Sequence, residues 1–93
     1  MNMYNYFMLI GKVEKIEKDA DLNNYEKHYI TLKVKRTYGA DYDVFKLIYF
    51  GYLNCDNLLQ KKVAIKGRLL QTSNLEIIAE NIIHLGNGLG IRN

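Results

Sequence analysis

The sequence predicts an all-β domain, five strands closing into a barrel with one short helix between the third and the fourth. Three observations predict it. The chain has 93 residues, 48% of them hydrophobic and 25% charged, with no proline, a composition that suits a folded globular domain rather than a disordered one. Several short runs rich in Ile, Val, Leu and aromatic residues alternate with period two. A chain of about this length buries only roughly 60–65% of its unfolded surface, which favours a barrel or sandwich closed on itself over an open sheet needing helices on both faces, and the order of the elements below selects the barrel.

The elements follow in order. NYFMLIGKV, residues 5–13, is an aromatic and aliphatic run with a glycine where a strongly bent strand needs one, and is the first strand. A polar loop is expected at 17–26. KHYITLKVKR, residues 27–36, alternates cleanly, with Ile30, Leu32 and Val34 inward and Tyr29, Thr31, Lys33 and Lys35 outward. RTYGADYD makes a loop, with Asp41 and Asp43 as turn formers. The third strand, residues 43–50, carries Val44, Lys46, Ile48 and Phe50 on one face and Phe45, Leu47 and Tyr49 on the other. Both faces are largely apolar, although a barrel this small has one interior.

In residues 51–62, Asn54 is a suitable N-cap and Asp56 falls in the first turn of a short helix, with Lys61 and Lys62 at its far end. KKVAIKGRLL, residues 61–70, is the fourth strand, with Val63, Ile65 and Leu69 inward against Lys62, Lys66 and Arg68. LEIIAENIIHL, residues 75–85, fits an amphipathic helix or a strand; its Ile-rich start and the turn QTSN favour a hairpin partner for strand four. Residues 1–86 are therefore one domain, and 87–93 are expected to be a flexible end.

Composition also excludes classes of function. No apolar run approaches the roughly 18–20 residues that span a bilayer, and MNMYNYFMLIGK has neither a basic start nor a small-residue cleavage site. A cytoplasmic protein without membrane contact is expected. The lone Cys55 allows no internal disulfide. His28, His84 and Cys55 lie on different elements without metal-ligand spacing, and there is no phosphate loop or nucleophile motif. No enzyme, metal or cofactor is expected; His28 reads as a strand-edge residue and Cys55 as half-buried on the helix. The net charge is +3, and the positive charge is concentrated in KVKR (33–36) and KKVAIKGR (61–68), which contain no acid. Such stripes attract polyanions.

Three strands, a short helix and two strands is the order of the OB fold, a Greek-key barrel that binds oligonucleotides across strands two and three. The runs NYFMLIGKV, YITLKVKRTY, FKLIYFGYL, VAIKGRL and AENIIHLG resemble, in order and spacing, the five strands of the bacterial single-stranded DNA-binding protein family. The resemblance covers roughly residues 5–86. It implies sequence-independent binding of single-stranded DNA in replication, recombination or repair, with stacking at Phe50 and Tyr38 and with Lys46 and Ile48 on the binding face. Lys33, Lys35, Arg36, Lys66 and Arg68 are the candidate phosphate contacts. It also implies a homodimer or homotetramer paired through strand one, where Tyr4, Tyr6, Met8 and Ile10 form an apolar row; the alternative is that the N-terminal segment folds over its own barrel.

The departures from the family pattern are specific. There is no tryptophan, Val44 stands where the family presents a large stacker, and QTSN replaces a long loop; residues 92–93 are Arg and Asn where the family continues to an acidic recruiting tail, which is expected either to be lacking or to lie beyond these 93 residues. These features resemble the primosomal replication protein B type, and fit equally a divergent single-stranded DNA-binding protein of a mobile element. Either is expected to meet replication or recombination proteins, and the same chemistry accommodates RNA. The competing class is an OB-fold adaptor of a replication-restart or conjugation complex that binds only proteins; charge reversal at Lys33, Lys35 and Lys46 would leave its partner binding intact.

Overall fold

A computed structural model describes residues 5–19 and 26–86. Its strands are β1 Phe7–Asp19, β2 Lys27–Lys35, β3 Tyr42–Phe50, β4 Lys62–Gln71 and β5 Leu75–His84, with helix α1 Cys55–Leu58 between β3 and β4. They close into a barrel in the spatial order β1, β2, β3, β5, β4. All neighbouring pairs are antiparallel except β3 and β5, which run parallel through Ile48 opposite Ile78 and Tyr49 opposite Ala79. This is the expected five-stranded OB barrel, and residues 75–84 form the strand rather than a helix.

The period-two pattern fills the interior. Val13, Ile30, Leu32, Leu47, Val63 and Ile65 are each under 2% exposed, and burying a side chain of this size contributes roughly 1.5–3 kcal/mol. Leu58 of α1 joins the same cluster and plugs it from one side. Asn54 caps this helix, its side chain accepting from the Asn57 N–H at 3.4 Å. The helix stops at Leu58, so Lys61 and Lys62 do not lie at its end. Gln60 adopts a left-handed φ of 65° and its N–H donates to the Val13 carbonyl at 2.7 Å, turning the chain so that Lys62 begins β4.

Three further expectations are corrected. Strand one runs to Asp19, through residues expected to be loop, because a bulge at Glu14 resets its alternation: Val13 faces Leu32 and, after the irregularity, Ile16 faces Ile30. Leu69 keeps the inward register but is 38% exposed, since β4 pairs with β1 only as far as Gly67. His28 is interior rather than at a strand edge, because the alternation of β2 continues to it; it is 2% exposed, and its Nδ1 has no hydrogen-bond partner among the described residues.

Two glycines permit the close approaches that shape the barrel. A Cβ on Gly11 would overlap the Lys33 carbonyl oxygen of β2, and one on Gly67 would overlap the Ile78 carbonyl oxygen of β5. Gly11 immediately precedes Lys12, the residue at which β1 passes from β4 to β2: Lys12 is opposite Lys62 and also opposite Lys33.

Candidate nucleic-acid interface

The antiparallel register of β2 and β3 determines which outward side chains meet. Across the pair, Lys27 is opposite Phe50, Tyr29 opposite Ile48, Thr31 opposite Lys46, Lys33 opposite Val44, and Lys35 opposite Tyr42. Flat apolar groups and cations therefore interleave along both strands. Opposed side chains in an antiparallel pair stand about 4.5–5.5 Å apart, close enough for the two kinds of group to touch. The Lys27 ammonium lies 5.2 Å from the Tyr29 ring centre and 5.9 Å from that of Phe50. Lys46 lies 4.9 Å from Tyr29 on its other side, and Lys33 lies 4.4 Å from Tyr42. The side-chain hydrogen bond with Tyr29 holds the Lys27 pKa above the usual lysine value.

Exposure divides the face into platform and floor. Phe50 is 54% exposed, Val44 61% and Tyr42 47%. Ile48 points to this outer face but is only 7% exposed, because it sits between Tyr29 on β2 and the equally buried Ile78 on β5. It is therefore floor beneath the face, and offers little surface for a base. Beyond the strands, the β2–β3 loop presents Tyr38, 87% exposed, with Gly39 in a left-handed conformation beside it.

The basic residues named from the sequence divide as well. Lys33, Lys35 and Lys46 lie on the face. Arg36 closes the hairpin instead: its guanidinium is 2.8 Å from Asp43 and 3.8 Å from Asp41, its backbone N–H donates to the Asp41 backbone carbonyl at 3.0 Å, and the Asp43 bond raises its pKa. Asp43 is thus a strand residue paired with Arg36 as well as a neighbour of the turn. Lys66 is off the face, opposite Met8 of β1 and Asn81 of β5. Arg68 lies at the far end of the row formed by Tyr29, Ile48 and Ile78 on successive strands, held 2.9 Å from Glu80. Lys33 is 3.7 Å from Glu14, and Lys46 4.0 Å from Glu17. Exposed pairs at such distances are worth at most about 1 kcal/mol, so a phosphate can displace these carboxylates.

Lys27 and Tyr29 belong to the face but were not singled out by sequence reasoning, and Tyr42, expected with Tyr38 in the loop RTYGADYD, is instead the first residue of β3, opposite Lys35. The alternation of KHYITLKVK placed Tyr29 outward; what was missing was the register that sets it between two lysines.

A second exposed surface lies on the outer side of β1, β4 and β5. Tyr6, Met8 and Ile10 are 73%, 56% and 48% exposed. Ile10 is opposite Ala64, which is opposite Ile83, itself 48% exposed. Tyr4, the fourth residue of the expected pairing row, lies outside the described residues, as does the expected flexible end at 87–93.

Other features are structural. A concavity of about 570 Å³ between α1 and the end of β5 is framed by Tyr49, Leu58, Ile82 and His84. There the His84 Nδ1 accepts from the Gly86 N–H at 3.0 Å and its Nε2 is 3.2 Å from the Asn57 carbonyl oxygen, so the ring ties β5 to the helix. Among the described residues, no group of three or more His, Cys, Asp or Glu side chains is arranged to hold a metal ion, and no helix is long and apolar enough to cross a membrane.

No protein-family model matches the chain, and a search of curated proteins gives no match either. Solved structures do match it. The dimeric N-terminal domain of the PriB protein from Thermoanaerobacter tencongensis has a TM-score of 0.73 at 24% identity, over 87% of this chain and 96% of that one. The SSB domain of a Synechococcus protein gives 0.68 at 18%, over 90% and 99%. A small single-stranded DNA-binding protein from Mycoplasma pneumoniae gives 0.58 at 17%, over 98% and 97%. At these identities the likeness establishes the fold, and the group that shares it is the one the strand sequences resemble.

Proposed function

We propose that this OB domain binds single-stranded DNA without reading its sequence. Bases stack on Tyr29, Phe50, Tyr42 and the loop residue Tyr38, and phosphates lie on Lys27, Lys33, Lys35 and Lys46. The observation that carries the reading is the interleaving across β2 and β3, where every exposed aromatic ring on the strands has a lysine opposite it or over it. Stacking contributes about 1–3 kcal/mol per base and tolerates any base, while phosphate contacts make binding salt-dependent. Arg36 acts mainly by holding the hairpin, and Lys66 and Arg68 lie peripheral to this path.

The resemblance to single-stranded DNA-binding proteins, and the fold shared with them, support a role in DNA replication, recombination or repair, with the cytoplasm as the site of action and binding rather than catalysis as the activity. A homodimer paired through the apolar row Tyr6, Met8 and Ile10 is part of the reading, since a contiguous exposed apolar surface favours burial against a partner. RNA is a competing ligand, because stacking and phosphate contacts do not by themselves select the sugar.

Fluorescence anisotropy of a labelled oligo-dT of about 30 nucleotides, long enough for several OB-fold footprints, tests the proposal. Salt-sensitive binding to the single strand and none to a duplex of equal length is expected. A folded protein that fails to bind at low salt would exclude the reading in favour of a protein-binding adaptor.

A further inference from the structure

Beside the β2–β3 face lies a shallow groove of about 290 Å³ whose lining includes Lys12, Lys33, Lys35 and Lys62 with Tyr42, over the backbone of Gly11. The strand register makes this concentration of charge unusual. Lys62 of β4 is directly opposite Lys12 of β1, and Lys12 is directly opposite Lys33 of β2, so three cations stand side by side on three successive strands. Like charges directly opposed across strands destabilise a sheet. Only one of the four lysines has a carboxylate within 4.0 Å among the described residues, Lys33 with Glu14 at 3.7 Å. Glu14 is thus the one carboxylate among the described residues that offsets the row, at Lys33, and Lys12 and Lys62 are left for a polyanion laid across it to neutralise.

The groove is continuous with the proposed binding face, because Lys33, Lys35 and Tyr42 belong to both. The other end of β1 is different. There Glu17 is opposite Tyr29 and Asp19 is opposite Lys27, with Lys15 and Lys18 beside them and already paired to Glu17 and Glu26, so a strand crossing β1 at that end would meet carboxylates beside cations that are already paired. Resting on the single-strand reading, we infer that bound nucleic acid leaves the β2–β3 face at the Tyr42 end, with its internal phosphates crossing β1 on Lys33, Lys12 and Lys62 to reach β4. The footprint thereby extends past the two-stranded face onto the flank of the barrel, and the contrast between the acid-free Lys12–Lys62 end of β1 and its mixed-charge far end sets the direction of exit.

The test is a double variant, Lys12→Ala with Lys62→Ala, titrated with oligo-dT of about 4 and about 16 nucleotides, the two ends of the usual OB-fold site size, over a range of salt. With the wild type, the 16-mer should show the steeper salt dependence. In the double variant its slope should fall by up to about 1.4, at about 0.7 for each single-strand phosphate that is no longer neutralised, with roughly a tenfold weaker affinity at low salt. The 4-mer should bind as before. An unchanged slope with the 16-mer, or equal weakening for both lengths, overturns the exit path while leaving the β2–β3 face in place. Failure of the wild type to bind either length overturns the single-strand reading itself, and the path with it.

Discussion

Two outer surfaces of this barrel expose apolar side chains, and they differ in what accompanies them. On β2 and β3, Tyr29, Tyr42 and Phe50 each lie within 6 Å of a lysine ammonium. On β1, β4 and β5, Tyr6, Met8, Ile10 and Ile83 form an exposed surface in which Lys66 is the cation opposite Met8. Exposed apolar area alone does not distinguish a nucleic-acid platform from a protein interface. The interleaved charge does, because a base stacked on a ring brings its phosphate within reach of a neighbouring ammonium, whereas a desolvated protein interface is depleted of lysine.

The largest effects should separate the two surfaces. Tyr29→Ala or Phe50→Ala is expected to weaken oligo-dT binding by about 1–3 kcal/mol without unfolding the protein, and Met8→Ala should leave that affinity unchanged, all read by anisotropy. Met8→Glu combined with Ile10→Glu should shift the protein towards monomer in sedimentation velocity while each protomer still binds a 4-mer; a parallel collapse of binding would merge the two surfaces into one. Lys46→Ala should cost less affinity than the aromatic changes and lower the salt slope by about 0.7. The smallest effect concerns the flank between the surfaces. Lys12→Thr removes a like-charge opposition worth about 0.2–1 kcal/mol, and should raise the thermal midpoint at low salt by on the order of a few degrees while weakening binding of long oligonucleotides.

The same contrast shows how much was legible in the sequence. The alternation of Ile30, Leu32 and Val34, the Asn54 cap and the Ile-rich residues 75–84 were sufficient for five strands, one helix and their order, because one apolar face per strand is what a small barrel requires. The length of β1 was not legible. Val13 and Ile16 are three apart, which breaks a period of two, and only the bulge at Glu14 restores it; the mixed charges of KVEKIEKD then look like loop because this part of β1 flanks β2 alone.

The outward face of β2 and β3 was legible in the sequence, and the full set of side chains that meet on it was not. Lys33, Lys35, Lys46 and Phe50 fell on the predicted face because the hairpin alternation places them there. Tyr29 and Lys27 needed the cross-strand register, as did the place of Tyr42 on β3 rather than in the loop, and Arg36 and Arg68 needed knowledge of their partners Asp43 and Glu80. Lys12 and Lys62 were further from reach, since 50 positions of sequence separate two residues that β1 and β4 set side by side.

The most direct test of the two-surface account is amide chemical-shift mapping of the labelled protein on addition of an oligo-dT of about 4 nucleotides, the low end of the OB-fold site size. The account predicts shifts concentrated at residues 27–35 and 42–50 and in the loop around Tyr38, with Met8, Ile10 and Ile83 unmoved. Shifts centred on Met8, Ile10 and Ile83, with Tyr29 and Phe50 unmoved, would contradict it.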